Sequence, residues 1–252
     1  MMRDDAPAGV GRTALITGAT RGVGLAIAHR LCADGFHVLL NYAHSEADAE
    51  RALAQLRGLP GTATAVRGDV TDPVALSAVL DRAEEGLGRL DAFVHNVASL
   101  RPMDAAAPSS EGVHASLATT LDPMLHSVER LAGLMAHGDG RIVAVSSVGA
   151  RRVVPKYVGL GVAKAALESL VRYLAVELAG RGITVNAVSA AKLDKGGPAD
   201  PVTQALAGRS PSGRLTTPQD LADVVWLLCA REARCIQGQI VEVDSGLALR
   251  AP

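Results

Sequence analysis

The chain has 252 residues, a formal net charge of −1, 48% hydrophobic and 2% aromatic residues. That length suits one α/β domain around a single large core, and a near-neutral chain offers no concentrated basic field for nucleic acid or an anionic membrane. The start, Met1-Met-Arg-Asp-Asp-Ala-Pro7, has no apolar secretory core, and no run is long enough to span a bilayer.

Three cysteines, Cys32, Cys229 and Cys235, are odd in number and lack metal-ligand spacing, so they predict reduced core thiols and no metal centre. A cytoplasmic protein with a small-molecule partner follows from these features.

After a polar leader over residues 1–11, Thr13-Ala-Leu-Ile-Thr17 predicts a strand. Gly18-Ala-Thr20-Arg21-Gly22-Val23-Gly24 then opens a helix over 25–33. Glycines at 18, 22 and 24 allow a tight turn and let backbone N–H groups approach a pyrophosphate at the helix N-terminus. A glycine triplet alone is weak, but between a strand and a helix it has the context a dinucleotide site requires.

The second strand, over 36–42, ends Asn41-Tyr42-Ala43-His44. An NAD site places an acidic side chain here for the ribose diol. None is present, so a 2′-phosphate meets no repulsion and Arg21 can pair with it, which predicts NADPH with Asn41, Tyr42 and His44 nearby. An exposed loop histidine is the plainer alternative for His44. An amphipathic helix over 48–57, a strand over 62–70 and a helix over 74–85 follow, then a strand over 90–98 that contains His95, read as buried and hydrogen-bonded.

A helix over 113–137 is expected to be interrupted at Asp122-Pro123, because proline removes a donor. Arg141-Ile-Val-Ala-Val-Ser-Ser147 reads as a buried parallel strand ending in two hydroxyls. The helix that follows carries Ala163, Leu167, Leu170, Leu174 and Leu178 in a 3.6-residue pattern, with Tyr157, Leu160 and Lys164 near its start. Offsets of four and seven return to one face, so Tyr157 and Lys164 can point together at Ser147. A hydroxyl, a phenol and an ammonium then converge. Such a trio suits proton donation to a carbonyl oxygen, with the cation lowering the phenol's pKa.

A strand over 183–188 leads into residues 190–212, rich in Gly, Pro and Asp, which predict a mobile substrate lid. Lys192 and Lys195 in it are solvated, or steer an acidic group. Residues 214–220 cap the last helix, and a seventh strand spans 238–246. Strands and helices thus alternate into a single-domain α/β fold, a Rossmann-type doubly wound sheet of seven parallel strands.

The strand-borne Ser147, the helical Tyr157 and Lys164, and the Thr17-Gly-x₃-Gly-x-Gly24 loop resemble the short-chain dehydrogenase/reductase family over residues 13–246. The family's tyrosine, four before the lysine, is Leu160 here. Tyr157 instead gives Tyr-x₆-Lys, as in short-chain-type enoyl-acyl-carrier-protein reductases, and the local run is also similar to angucycline ketoreductases. The resemblance implies catalytic roles for Ser147, Tyr157 and Lys164, with Lys164 also on the cofactor ribose. It implies cofactor contacts at Asp69-Val70, Asn96, Ala98 and Ser189, an altered proton relay at Thr120, and a homodimer or homotetramer. Reduction of a ketone on a polycyclic aromatic polyketide ranks first, reduction of an enoyl thioester second, and a silent NADPH-binding protein third.

Overall fold

The computed structural model describes residues 9–198 and 200–249; the first eight residues of the leader lie outside them. Seven strands, β1 (Thr13–Ile16), β2 (His37–Tyr42), β3 (Thr62–Arg67), β4 (Ala92–His95), β5 (Arg141–Ser147), β6 (Thr184–Ala190) and β7 (Ile240–Val243), form one sheet. Its order is β3-β2-β1-β4-β5-β6-β7, and every pairing is parallel.

Parallel strands need crossovers, and these are α1 (Gly22–Ala33), α2 (Glu46–Leu56), α3 (Pro73–Leu87), α4 (Ser110–Leu134), α5 (Val158–Ala179), α6 (Pro201–Arg209) and α7 (Pro218–Cys229). The central strands β1, β4, β5 and β6 are buried and mainly apolar because both sheet faces are covered there, whereas the edge strands β3 and β7 are partly exposed. In β5, Val143 joins the layer of α1, α2 and α7, whereas Ile142 and Ala144 join that of α3, α4 and α5. Strand order reverses between β1 and β4, which opens a crevice at the carboxyl ends of the strands.

Three expectations need correction. Helix α4 is continuous through Pro123. Proline leaves the Thr119 carbonyl without its helical donor, but burial of Pro123, Met124, Ser127 and Leu131 outweighs that loss. The segment 190–212 is not wholly loop: Asp200 accepts from Thr203 N at 2.8 Å and Pro201 follows, so α6 starts there. Cys32 and Cys229 are buried as predicted, but Cys235, in a one-turn helix after α7, is exposed. No helix among the described residues is long and apolar enough to cross a membrane, and none of their acidic, histidine or cysteine side chains cluster to hold a metal.

The opposite, amino-terminal edge of the sheet is held by Arg141, fully buried at the start of β5. It donates to Asp139 Oδ1 at 2.5 Å, to the Gly140 carbonyl at 3.0 Å and to the Ala230 carbonyl at 3.3 Å. Arg141→Leu should cost roughly 3 kcal/mol, because these acceptors lose a buried donor. Urea unfolding should show a lower midpoint at unchanged slope.

Candidate active site

The crevice is built first around the turn after β1. Gly18 and Gly22 have φ of +61° and +55°, and a Cβ at Gly22 would meet nothing within 4 Å, so this side of the loop is open. Gly24 is closed: a Cβ there would lie 2.2 Å from the Gly18 carbonyl and 2.7 Å from Asn96 Nδ2. Asn96 Nδ2 donates to the carbonyls of Thr17 at 3.1 Å and Gly18 at 3.0 Å, which bolts the loop to the end of β4. Arg21, the residue before α1, makes no side-chain cap, and no acid occupies the first turn. The helix therefore presents free N–H groups and its positive end to an open cradle, which fits a pyrophosphate.

The other predicted cofactor residues lie along the same edge. Thr20 and Val23 are half-buried, and Arg21 is exposed with no hydrogen bond or ion pair among the described residues. Asn41 is buried; its carbonyl accepts from Ala19 N at 2.9 Å and its Nδ2 donates to the Gly68 carbonyl at 2.9 Å, so it shapes the loop. Tyr42 is half-buried and His44 exposed. Asp69 accepts from Thr71 N and Oγ1 at 3.0 and 2.8 Å, and these bonds, with His44 nearby, hold its carboxyl below the usual range. Val70 is buried, Ala98 is exposed, and Ser189 is buried in β6, opposite Ser146 and Glu242.

The reactive groups meet at the end of β5. Tyr157, the residue preceding α5, donates from its hydroxyl to Ser147 Oγ at 3.2 Å, and Gly149 N donates to the same Oγ at 3.2 Å. Lys164 is buried, and its Nζ donates to the Val145 carbonyl at 2.7 Å. Burial pulls its pKa down to about 8. Beneath it His95 is buried; Nε2 donates to the Thr120 carbonyl at 2.9 Å, and burial, helped by Lys164, takes its pKa down to about 3. That imidazole is neutral. His95 Nδ1 and Thr120 Oγ1 have no partner within the described protein, so the predicted satisfaction of His95 is half met. A cavity of about 570 Å³ opens beside Tyr157, lined in part by Met103, Val153, Val154, Pro155 and Val158.

A protein-family model described as "Enoyl-(Acyl carrier protein) reductase" matches residues 18–248. The chain belongs to the short-chain dehydrogenase/reductase family. It is 36% identical over 248 residues to a 1-cyclohexenylcarbonyl-CoA reductase of Streptomyces collinus, covering 96% of this chain and 88% of that one. A cis-4-hydroxycyclohexanecarboxylate dehydrogenase of Sinomonas cyclohexanicum is 35% identical over 245 residues, covering 93% and 96%. A solved short-chain dehydrogenase/reductase of Serratia marcescens superposes with a TM-score of 0.89 at 27% identity, covering 96% and 99%. The protein is accordingly an oxidoreductase that uses a nicotinamide cofactor on a small molecule.

In this short-chain dehydrogenase/reductase, Leu160 at the family's tyrosine position is buried in α5. The expected effect of Lys164 on the phenol is corrected. The Tyr157 pKa is raised by burial, and only its bond to Ser147 acts to lower it. The cause is geometric: Tyr157 stands before the helix, while Lys164, two turns on, dips to the backbone of β5. Lys192 is engaged by Asp200 at 2.8 Å rather than free to steer a substrate, although Lys195 is exposed.

Sequence reading passed over Glu168, Ser146 and Arg151, which surround the site. An acid one turn past Lys164, on the apolar face of the helix, was the available signal. The buried Lys164 also sets a stability cost. Its folded pKa, about 8, lies below the ordinary 10.5, so the penalty is complete below pH 8 and vanishes as pH rises toward 10.5. Lys164→Met should therefore stabilise the fold at pH 7 by up to roughly 3 kcal/mol, less the Val145 bond. Thermal unfolding of both proteins should show the gap closing between pH 8 and 10.5.

Proposed function

We propose that this protein is an NADPH-dependent reductase of an apolar enoyl thioester. The observation that carries the reading is the Tyr157–Ser147 pair, with its Tyr-x₆-Lys spacing and a buried Leu160 where the more usual tyrosine would stand. Likeness to a cyclohexenylcarbonyl-CoA reductase, and an apolar cavity wide enough for a ring-bearing acyl group, support it. The reading reverses the order in which the sequence ranked ketone and enoyl reduction.

NADPH is preferred to NADH because the end of β2 has no acid to repel a 2′-phosphate and Arg21, beside the cradle, is unpaired among the described residues. Gly18, Gly22, Gly24 and the N-terminus of α1 would hold the pyrophosphate, with Thr20, Val23, Asn41, Tyr42, His44, Asp69, Val70, Asn96, Ala98 and Ser189 around the rest. Bound cofactor would supply the hydride for the carbon β to the thioester carbonyl, and a proton from solvent would complete the reduction at the α carbon. Tyr157, kept protonated by its raised pKa, donates a hydrogen bond to the thioester oxygen as charge gathers there. Ser147 orients that phenol, and the Lys164 ammonium adds positive potential and takes the ribose hydroxyls. Apolar side chains around the cavity exclude water from the acyl group.

A second reading, reduction of a ketone on an aromatic polyketide, is favoured by Ser147 Oγ, since a hydroxyl beside a phenol also suits a carbonyl oxygen. Exposed Leu125 on α4, and Tyr173 and Val176 on α5, suit self-association as a homodimer or homotetramer. Following NADPH oxidation with a cyclohexenylcarbonyl thioester and a polycyclic aromatic ketone side by side tests the choice. Turnover of the thioester alone is expected; turnover of the ketone alone would reverse the assignment. Tyr157→Phe should lower kcat about 100-fold or more in either reaction. Arg21→Ala should raise KM for NADPH about tenfold while leaving that for NADH nearly unchanged, as one charged contact to phosphate is lost.

A further inference from the structure

Glu168 lies on α5 one turn past Lys164, with its side chain 5% exposed. A carboxylate so buried is costly unless its oxygens are paired, and here both are. Ser146 Oγ donates to Oε1 at 2.8 Å, and Arg151 Nε donates to Oε2 at 3.0 Å. Arg151 then reaches with Nη1 to Glu242 on β7 at 3.1 Å. This cluster joins α5, the end of β5, the strap that follows it and β7.

The strap sets the geometry of the reactive pair. Ser146 directly precedes Ser147, and Arg151 closes the single helical turn Val148–Ala150, its N–H donating to the Val148 carbonyl at 3.0 Å. Within that turn Gly149 N donates to Ser147 Oγ, and the glycine lies flat against the phenol ring: a Cβ on Gly149 would come within 2.5 Å of Tyr157 Cε1. A shift of the strap therefore moves the serine's hydrogen bond and the tyrosine's ring together. We propose that Glu168 is a positioning residue, which through Ser146 and Arg151 holds the strap that aims Ser147 at the Tyr157 hydroxyl. The inference rests on the reading that this pair meets the substrate oxygen.

Glu168→Gln keeps the side chain's volume but removes the charge that holds Arg151. It should lower kcat about tenfold to a hundredfold, the loss expected from a small misplacement of reacting groups, with NADPH affinity within about twofold. Ultraviolet titration supplies a readout that a purely structural role would not move. The protein has three tyrosines, so subtraction of the Tyr157→Phe curve isolates one phenol. Loss of the Ser147 bond should move its ionisation to higher pH.

In the Tyr157→Phe background, Glu168→Gln should cost little more. An unshifted phenol with kcat within about twofold of the parent would overturn the proposal, as would an equal fold-loss in both backgrounds. If Tyr157→Phe alone retains full rate, the reading of the pair fails instead, and the phenol titration still decides the role of Glu168. Should Glu168→Gln not fold, Arg151→Lys, at a side chain 42% exposed, carries the same test, since lysine cannot span both acids.

Discussion

An ammonium inside an apolar sandwich is the constraint on which the site depends. Lys164 reaches the Val145 carbonyl only because α5 lies very close to β5 and its strap. Small buried residues on that stretch, Gly159, Gly161 and Ala163, permit the approach; a Cβ at Gly161 would stand 2.8 Å from the Gly149 carbonyl. Close packing of this kind removes water from the lysine, and the desolvation that lowers its pKa is the same burial that makes its charge effective over a short distance. Stability is given up for that field, as buried charges at functional sites commonly require.

The two ends of the sheet use buried charge differently. At the amino-terminal edge Arg141 and Asp91 are surrounded by partners: Asp91 takes Thr13 N at 2.8 Å and Arg89 at 2.6 Å, and Arg141 is spread over three acceptors. Arg12 Nε and Nη2 lack hydrogen-bond partners among the described residues, but that guanidinium is buried over the Phe36 ring rather than open to a ligand. At the carboxyl edge, among the described residues, Lys164 has one protein acceptor and Arg21 has none, and α1 begins without a side-chain cap. Unspent hydrogen-bonding capacity that faces an open crevice is what suits this edge to a ligand.

Strand order, helix order and the glycine turn were legible because each rests on local chemistry: apolar runs, a 3.6-residue period, and glycines between a strand and a helix. The ends of elements moved by a few residues, as at α1, which starts at Gly22 rather than Leu25. Pro123 misled because a local rule predicts a break that tertiary burial overrides. The start of α6 was readable in Asp200-Pro201 but was hidden by the surrounding glycines and prolines. Within the site, Ser147, Tyr157 and Lys164 were legible as residue types, yet the sign of the phenol's shift was not, since it turns on depth rather than spacing. The link from Glu168 to Arg151 and Glu242 joins residues 17 and 91 positions apart, and no periodicity announces it.

Why a tyrosine serves three residues earlier than usual can be argued from what surrounds it. A side chain at position 160 is committed to the helix and points with Leu160 into the packed layer. Position 157 precedes the first helical residue, at φ −113° and ψ 6°, so its ring is free of the helical face and lies across the strap. That path is open because Gly149 presents no side chain: the ring occupies the place where its Cβ would be, 2.5 Å from Cε1, while Gly161 lets α5 approach the Gly149 carbonyl. The hydroxyl is thereby carried back to Ser147, and the ring's position depends on Gly149. The cavity beside the ring is walled in part by Val153, Val154 and Pro155. In the proposed reaction a carbonyl meeting this phenol would approach along an apolar wall, which suits a hydrocarbon ring better than a polar chain.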